Sequence, residues 1–518
     1  MSAAEVSERS GGKRMNVKKQ SKDKRPTIGF LTGMSSYDEW ISRMWAGVAE
    51  IAAERDVNAL CFPGGALHEK EENEQAHVLY ELVNEERLDG LIIWGNVTSI
   101  LEPDDRQAFY DRYRSLPLVS VAQRIAGVPT LLADYYGGMR AAVAHLVDVH
   151  GCSRLAFIKG DEGLEEHEER YRAYRDVLAE RGLPFDDALV VTGAQREAFC
   201  HSEGWDPHDP GAYTLAPMLL LLDERRVTFD GLVACEDHTA ISALAELKTR
   251  GLRVPGDVAV AGFDNIPDSR CTTPPLTTAH NPVVKMGQRA AEMLLDLLAG
   301  EEVAEEIIVP APLILRQSCG CLSPEIARVP IASSKVGDKP AAYQPVRAPL
   351  EERRASILAE MAQVSGNLPQ VTASMERLLD AFAAELAPAA GGETDEAFLT
   401  TLNNLLQQTA GGGSVQAWQD VISAMRRAVW PHLGDGEMAR ASDLWEQARI
   451  LIGQEDLRVQ TYRELQVEHQ ARVLREISAE LNTIVKRNAL LDALVRELPR
   501  FGISSAYLAL YEDPQPYR

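Results

Sequence analysis

The sequence predicts an α/β protein with two doubly wound parallel-sheet lobes, followed by an all-α region with a coiled coil. Three observations predict it. Short, nearly continuous apolar runs alternate with amphipathic segments from residue 26 to residue 321, the pattern of parallel strands covered by helices on both faces. That stretch exceeds one comfortable core, so it divides into two lobes with a cleft between them. Beyond a proline-punctuated linker the apolar periodicity is helical throughout.

Taken in order, Thr27–Leu31 is a buried-strand pattern after Pro26, and Trp40, Met44, Trp45, Val48 and Ile51 recur at helical spacing. Val57–Phe62 is the next strand. A helix is predicted over Glu72–Glu86, then the strands Gly90–Trp94, Leu118–Val121 and Thr130–Leu132. The helix Gly138–His150 leads into Leu155–Ile158, and a further helix covers Glu165–Arg181. Strands follow at Ala188–Thr192, Gly231–Ala234 and Val258–Gly262. A helix over His280–Leu298 and a last strand, Ile307–Val309, complete the unit. Ligands of such sheets bind beyond the carboxyl ends of the strands, so candidate contacts belong to the loops that follow them.

Composition bounds the class. The chain has 518 residues, room for roughly three domains. It is 45% hydrophobic and 25% charged, as a soluble globular protein is. No apolar run is long enough to span a membrane, and the N-terminus has no signal-like apolar core, so a cytoplasmic location is expected. Net charge is −24, which repels nucleic acid overall; only a basic tail over 1–25, with Lys13, Arg14, Lys18, Lys19, Lys22, Lys24 and Arg25, offers phosphate an attractive patch. Seven scattered cysteines point to reduced thiols. Cys319-Gly320-Cys321 is the only close pair; alone it supplies two ligands where zinc needs four, so no metal and no cofactor are expected.

The linker spans 322–350 and carries Pro324, Pro330, Pro340, Pro345 and Pro349. Amphipathic helices are predicted over Leu350–Leu386, Glu396–Gln408, Gln416–Trp430 and Glu437–Ile452, a helical region of 351–460. From 461 to 500 a coiled-coil helix is expected. Val467, Gln470, Leu474, Ile477, Leu481, Ile484, Asn488, Leu491, Val495 and Leu498 alternate spacings of three and four, a heptad seam suited to a homodimer. Phe501–Tyr511 reads as a turn into one strand, and Ile477–Asp513 resembles the opening of a GAF-type sensor domain.

Three segments carry a stronger resemblance: Val128–Gly160, Phe229–Pro282, and the helix after it with Gly287, Ala290, Ala291 and Leu294. Most specific is Arg253-Val254-Pro255-Gly256-Asp257-Val258 through Gly262-Phe263-Asp264, then Pro274-Pro275-Leu276-Thr277-Thr278. Residues 26–321 thereby resemble the effector domain of the lactose/galactose repressor family, a periplasmic-binding-protein-like type I fold. The resemblance implies a small polar, sugar-like ligand sensed without enzymatic chemistry; no nucleophile elbow, P-loop, HExxH or paired CxxC motif occurs.

Six residues are the candidate ligand contacts. Asp264 ends a strand and can accept paired hydrogen bonds from vicinal hydroxyls; the matching family residue contacts ligand. Arg170 stands where the family has an arginine facing the cleft. Glu236 replaces a frequent ligand-binding Asn, turning a donor–acceptor into an acceptor alone. Its neighbour Asp237 is expected to cap the following helix. Asn281 can approach the cleft, Tyr37 and Trp40 can stack on a sugar ring, and Asp134 is a family landmark.

The family's helix-turn-helix has no counterpart in the first 26 residues, so DNA binding by this chain is not expected. The ending Arg316-Gln317-Ser318-Cys319-Gly320-Cys321 resembles repressor-like sensors fused to signalling outputs. The leading expectation is therefore a cytoplasmic small-molecule sensor of a signalling protein, passing lobe closure through a dimeric coiled coil to an output domain. The alternative is a transcriptional regulator acting on DNA.

Overall fold

A computed structural model describes residues 25–33, 39–67, 77–99, 101–207, 209–323, 326, 347–365, 371–386, 397–409, 415, 417–483, 491, 493–496 and 498. Two compact units emerge. The first comprises residues up to Tyr135 with Gly163–Glu165 and Asn281–Ala311; the second comprises Tyr136–Glu162, Glu166–His280 and the chain from Pro312 onward.

The first unit is a six-stranded parallel sheet of β1 (Thr27–Thr32), β2 (Asn58–Pro63), β3 (Gly90–Trp94), β4 (Leu118–Val121), β5 (Thr130–Ala133) and β11 (Glu306–Val309), in the order β11-β5-β4-β3-β1-β2. The central strands are buried on both faces, which is why they read as continuous apolar runs. Helix α1 (Glu39–Glu54) packs on α9 (Val283–Ala299) over one face. Their backbones meet at two glycines: a methyl at Gly47 would collide with the Val284 carbonyl, and one at Gly287 with the Met44 carbonyl. Short helices α2 (Val78–Glu81) and α3 (Pro103–Asp111) cover the other face through Tyr80, Phe109 and Tyr110.

The helix expected over Glu72–Glu86 is helical, among the described residues, only at Val78–Glu81. The Asn84 side chain accepts the Glu86 and Arg87 amides and turns the chain instead. The helix expected from His280 begins at Val283, because His280 ends a strand and Asn281-Pro282 separates the two elements.

The second unit begins with a six-stranded sheet built from β6 (Leu155–Ile158), β7 (Val190–Val191), β8 (Gly231–Ala234), β9 (Ala259–Asp264), β10 (Thr277–His280) and β12 (Leu313–Ile314), ordered β12-β10-β9-β8-β6-β7. All pairs are parallel except the edge strand β12, antiparallel to β10. Its helices are α4 (Tyr135–Asp148), α5 (Glu165–Glu180), α6 (Gly193–Glu203), α7 (Pro210–Leu219) and α8 (Asp237–Thr249). The strand expected at Ala188–Thr192 shrinks to Val190–Val191, since Asp186 accepts the Ala188 amide and winds a 3-10 turn before it.

The all-α part follows: α10 (Arg347–Val364), α11 (Val371–Leu386), α12 (Ala397–Thr409), α13 (Ala417–Val429) and α14 (Asp435–Thr483). Phe382, Phe398, Trp418 and Trp445 lie at the centre of their core. The segment read as one helix over Leu350–Leu386 is two helices, with Gly366 and Pro369 between them in sequence. The start of the expected linker is anchored: Ile326 is buried in the helical core, Leu322 packs against it, and Gln447 donates to the Ile326 carbonyl.

Helix α14 runs unbroken for 49 residues, joining what the sequence divides into a helical region and a coiled coil. Beyond its first turn, where Gly436 lies, Gly453 is the one helix breaker inside it, and a lone glycine costs only ~1 kcal/mol. The seam is divided. Val467 and Leu474 are exposed, whereas Ile477 is buried within the chain beside Val473. Leu491 and Val495 are exposed. Ile484, Asn488, the GAF-like start over 501–518 and the tail over 1–24 lie outside the described residues. No described helix is long and apolar enough to cross a membrane.

Candidate functional site

In the second unit, the carboxyl ends of the adjacent strands β6, β8 and β9 deliver Lys159–Asp161, Cys235–Asp237 and Asp264 to one edge of the sheet. Helix α5 brings His167 and Arg170 to the same place. Three of the six sequence-predicted contacts, Arg170, Glu236 and Asp264, therefore form one polar cluster.

Arg170 is buried rather than solvated. Its guanidinium donates to the Cys235 carbonyl at 2.7 Å and lies over the Phe263 ring, 3.9 Å from its centroid. It approaches Asp264 Oδ1 at 3.4 Å, longer than the ~2.7–2.9 Å of a tight charge-assisted bond. Asp264 has φ 114°, a left-handed conformation that costs a non-glycine residue about 1–3 kcal/mol and clusters at functional sites. Next to it, Asn265 accepts from Arg316 through Oδ1 and donates from Nδ2 to His280 Nδ1.

Glu236 precedes α8. Its Oε1 lies 3.1 Å from His167 Nε2, and the Tyr213 hydroxyl approaches at 3.5 Å. Burial raises the Glu236 carboxyl, but the hydrogen bond and charge of His167 outweigh it and hold the group below its usual value. Burial likewise opposes charge on His167, yet Glu236 keeps it above the ordinary histidine value. Gly160 makes room for this pair, since a side chain there would strike the imidazole.

A second charged pair flanks the first. Buried Arg196 donates to Asp161 at 2.5 Å and lies 3.7 Å over the Tyr213 ring. Its Nε makes no hydrogen bond among the described residues, leaving donor capacity.

Asp237 does not cap α8 with its side chain. It is fully buried, accepting the Ile266 amide at 3.0 Å and the Thr278 hydroxyl at 2.6 Å, and so ties the start of α8 to β9 and β10. Burial, then the charge of Asp264, pushes its pKa well up.

The other candidates are elsewhere. Tyr37 lies outside the described residues. Trp40 is half-buried in α1, packed on the first unit's core with Arg43 5.4 Å from its ring centroid. Asn281 precedes α9 and Asp134 follows β5; both belong to the first unit. The sequence reading missed His167, Arg196, Tyr213 and Asp161. His167 alone had a signal, sitting three residues before Arg170 on one helical face.

The cluster is linked to the helical part of its own unit. Arg316 bonds to Asn265, and its neighbour Gln317 accepts from Asn403 and Gln407 of α12 at 2.9 and 3.1 Å. On α14, Arg458 donates to the Cys271 carbonyl. Between β12 and α14 lies a cavity of about 500 Å³ lined by Arg316, Leu313, Glu455 and Arg458.

Residues 143–319 match the model of the periplasmic binding protein-like domain. The HTH-type transcriptional regulator CelR of Thermobifida fusca is 32% identical over 186 residues, 36% of this chain and 50% of that protein. The chain thus spans half the length of that relative. The HTH-type transcriptional repressor MelR of Bacillus subtilis is 26% identical over 334 residues, 62% of this chain and 88% of its own length. The regulator AscG of Escherichia coli is 29% identical over 296 residues, 56% of this chain and 80% of the relative. A crystal structure of the Escherichia coli repressor ascG aligns over 57% of this chain and 98% of its own, with 27% identity and a TM-score of 0.45. These relatives are named as transcriptional regulators, and the α/β part of the chain is similar to the periplasmic-binding-protein-like part of LacI/GalR regulators.

Proposed function

We propose that this protein is a sugar-responsive regulator whose ligand is held by Arg170, Glu236 and Asp264. One observation carries the reading: a buried arginine faces Asp264 at 3.4 Å while Asp264 holds a strained backbone. A buried guanidinium and a carboxylate brought together at strand ends, beside aromatic faces, are the kind of few, precisely placed polar groups that orient a ligand in a pocket. Vicinal hydroxyls supply both the acceptor for Arg170 and the donors for Asp264 and Glu236. Phe263 and Tyr213 add apolar faces beside them.

Ligand bound at Asp264 acts on the helical region through Asn265, Arg316 and Gln317, which end on α12. Any such coupling requires a ligand that prefers one arrangement of this chain of contacts. The relatives favour transcription as the regulated process. A second reading, a signalling output driven by a coiled-coil dimer, draws on the exposed Val467 and Leu474 of the 49-residue helix α14.

The test is thermal unfolding of the full chain against a panel of mono- and disaccharides. A saccharide at 100 times its dissociation constant stabilises by about 2.7 kcal/mol, a readily resolved shift. Failure of every saccharide to shift the transition contradicts the proposal.

A further inference from the structure

A second polar cluster lies at the carboxyl end of α4, beside the start of β10, and nothing in the sensor reading uses it. His145 in the last turn of α4 and His150 just beyond it face Cys319 and Cys321 from the segment after β12. The four ligand atoms, two Nε2 and two Sγ, all lie within 4.8 Å of one another.

We propose that these four residues form a structural zinc site. Four of its six edges fit it. His145 Nε2 is 3.5 Å from Cys319 Sγ and 3.4 Å from Cys321 Sγ; His150 Nε2 is 3.4 Å from Cys321 Sγ and 3.1 Å from His145 Nε2. Tetrahedral zinc with ordinary Zn–S and Zn–N bonds demands S–N edges of about 3.5 Å and an N–N edge of about 3.3 Å. Four atoms that are ligands in their deprotonated forms converge on one point, and a single cation satisfies all of them at once.

The local backbone is shaped for this. Cys-x-Cys is tighter than the usual Cys-x2–4-Cys spacing, and Gly320 makes it possible with φ 111°. A Cβ at Gly320 would also press on the His150 ring, at 3.2 Å. The Thr277 hydroxyl lies 3.1 Å from Cys319 Sγ, an outer-shell contact of the kind that orients metal ligands. All four positions are filled by protein, so the site is closed and its role is structural rather than catalytic. The sequence alone showed two ligands; the fold supplies the two histidines 169 or more residues away.

The location gives the metal a task. Cys319 is two residues from Gln317, whose amide oxygen receives Asn403 and Gln407 of α12. Zinc therefore clips the segment that docks the helical region to the α4 end of the sensor sheet.

The experiment is a cobalt(II) titration of the tag-free, chelator-stripped full chain. One Co²⁺ per chain is expected, with the intense d–d absorption of a tetrahedral site and thiolate-to-cobalt charge transfer, both abolished by added Zn²⁺. The double variant Cys319→Ser/Cys321→Ser loses the charge-transfer band, and His145→Gln weakens binding at least tenfold. Should either variant fail to fold, the wild-type spectrum alone decides. A weak octahedral spectrum without thiolate charge transfer, or unchanged binding by a folded double variant, overturns the proposal.

Discussion

His167 Nε2 stands 3.1 Å from Glu236 Oε1, a pair formed between helix α5 and the end of strand β8. It has a definite pH signature. The folded His167 pKa is raised above 6.5, so its contribution is full below that value and lost as pH rises through the folded pKa. Glu236 is lowered from 4.5, so its contribution is full above that value and lost as pH falls through the folded pKa. The pair stabilises most between pH 4.5 and 6.5. His167→Gln should cost about 1–2 kcal/mol in that window and progressively less above it, measured by urea unfolding across pH.

Asp237 carries the opposite sign. Its folded pKa lies well above 3.8, so the folded state holds the proton more tightly and stability falls as pH rises from 3.8 toward the folded value. Asp237→Asn keeps a neutral group against Ile266 and Thr278 and removes this slope. The stability difference between variant and wild type should move in favour of the variant as pH is raised from 4 to 8 in the same melts.

The α1–α9 crossing tests the first unit. Gly287→Ala places a methyl against the Met44 carbonyl, backbone that cannot swing aside. We expect a loss of roughly 1–3 kcal/mol in denaturant unfolding. An unchanged midpoint would mean that the helices separate at no cost.

These features differ in how far the sequence revealed them. The sheets were legible because Leu91-Ile92-Ile93 and Leu232-Val233 are buried on both faces, leaving period-free apolar runs. Arg170, Glu236 and Asp264 could be singled out because each falls at a position the repressor resemblance marks, and the fold brings these three together. His167 and Arg196 were not: their roles depend on which strand ends become neighbours, and sheet order is not encoded locally. The same holds for His145 and His150, whose cysteine partners are distant in sequence. Helix α14 escaped division because a single Gly453 is too weak a breaker.

Val467 and Leu474 expose two-thirds and more than half of their surfaces along one stripe of α14. We expect the full chain to sediment as a dimer and Leu474→Asp to shift it toward monomer by at least tenfold in dissociation constant. A wild-type monomer at micromolar concentration would remove α14 as a dimer seam.

Asp264 and Arg170 are proposed to hold a hydroxyl-bearing ligand. Titration calorimetry of the full chain with the saccharide that most raises its unfolding temperature, for wild type and Asp264→Asn, tests it most directly. Loss of charge-assisted hydrogen bonds worth about 1.5–3 kcal/mol predicts binding weakened roughly 10- to 150-fold in a variant that still folds. Equal affinity in the two proteins would contradict the account.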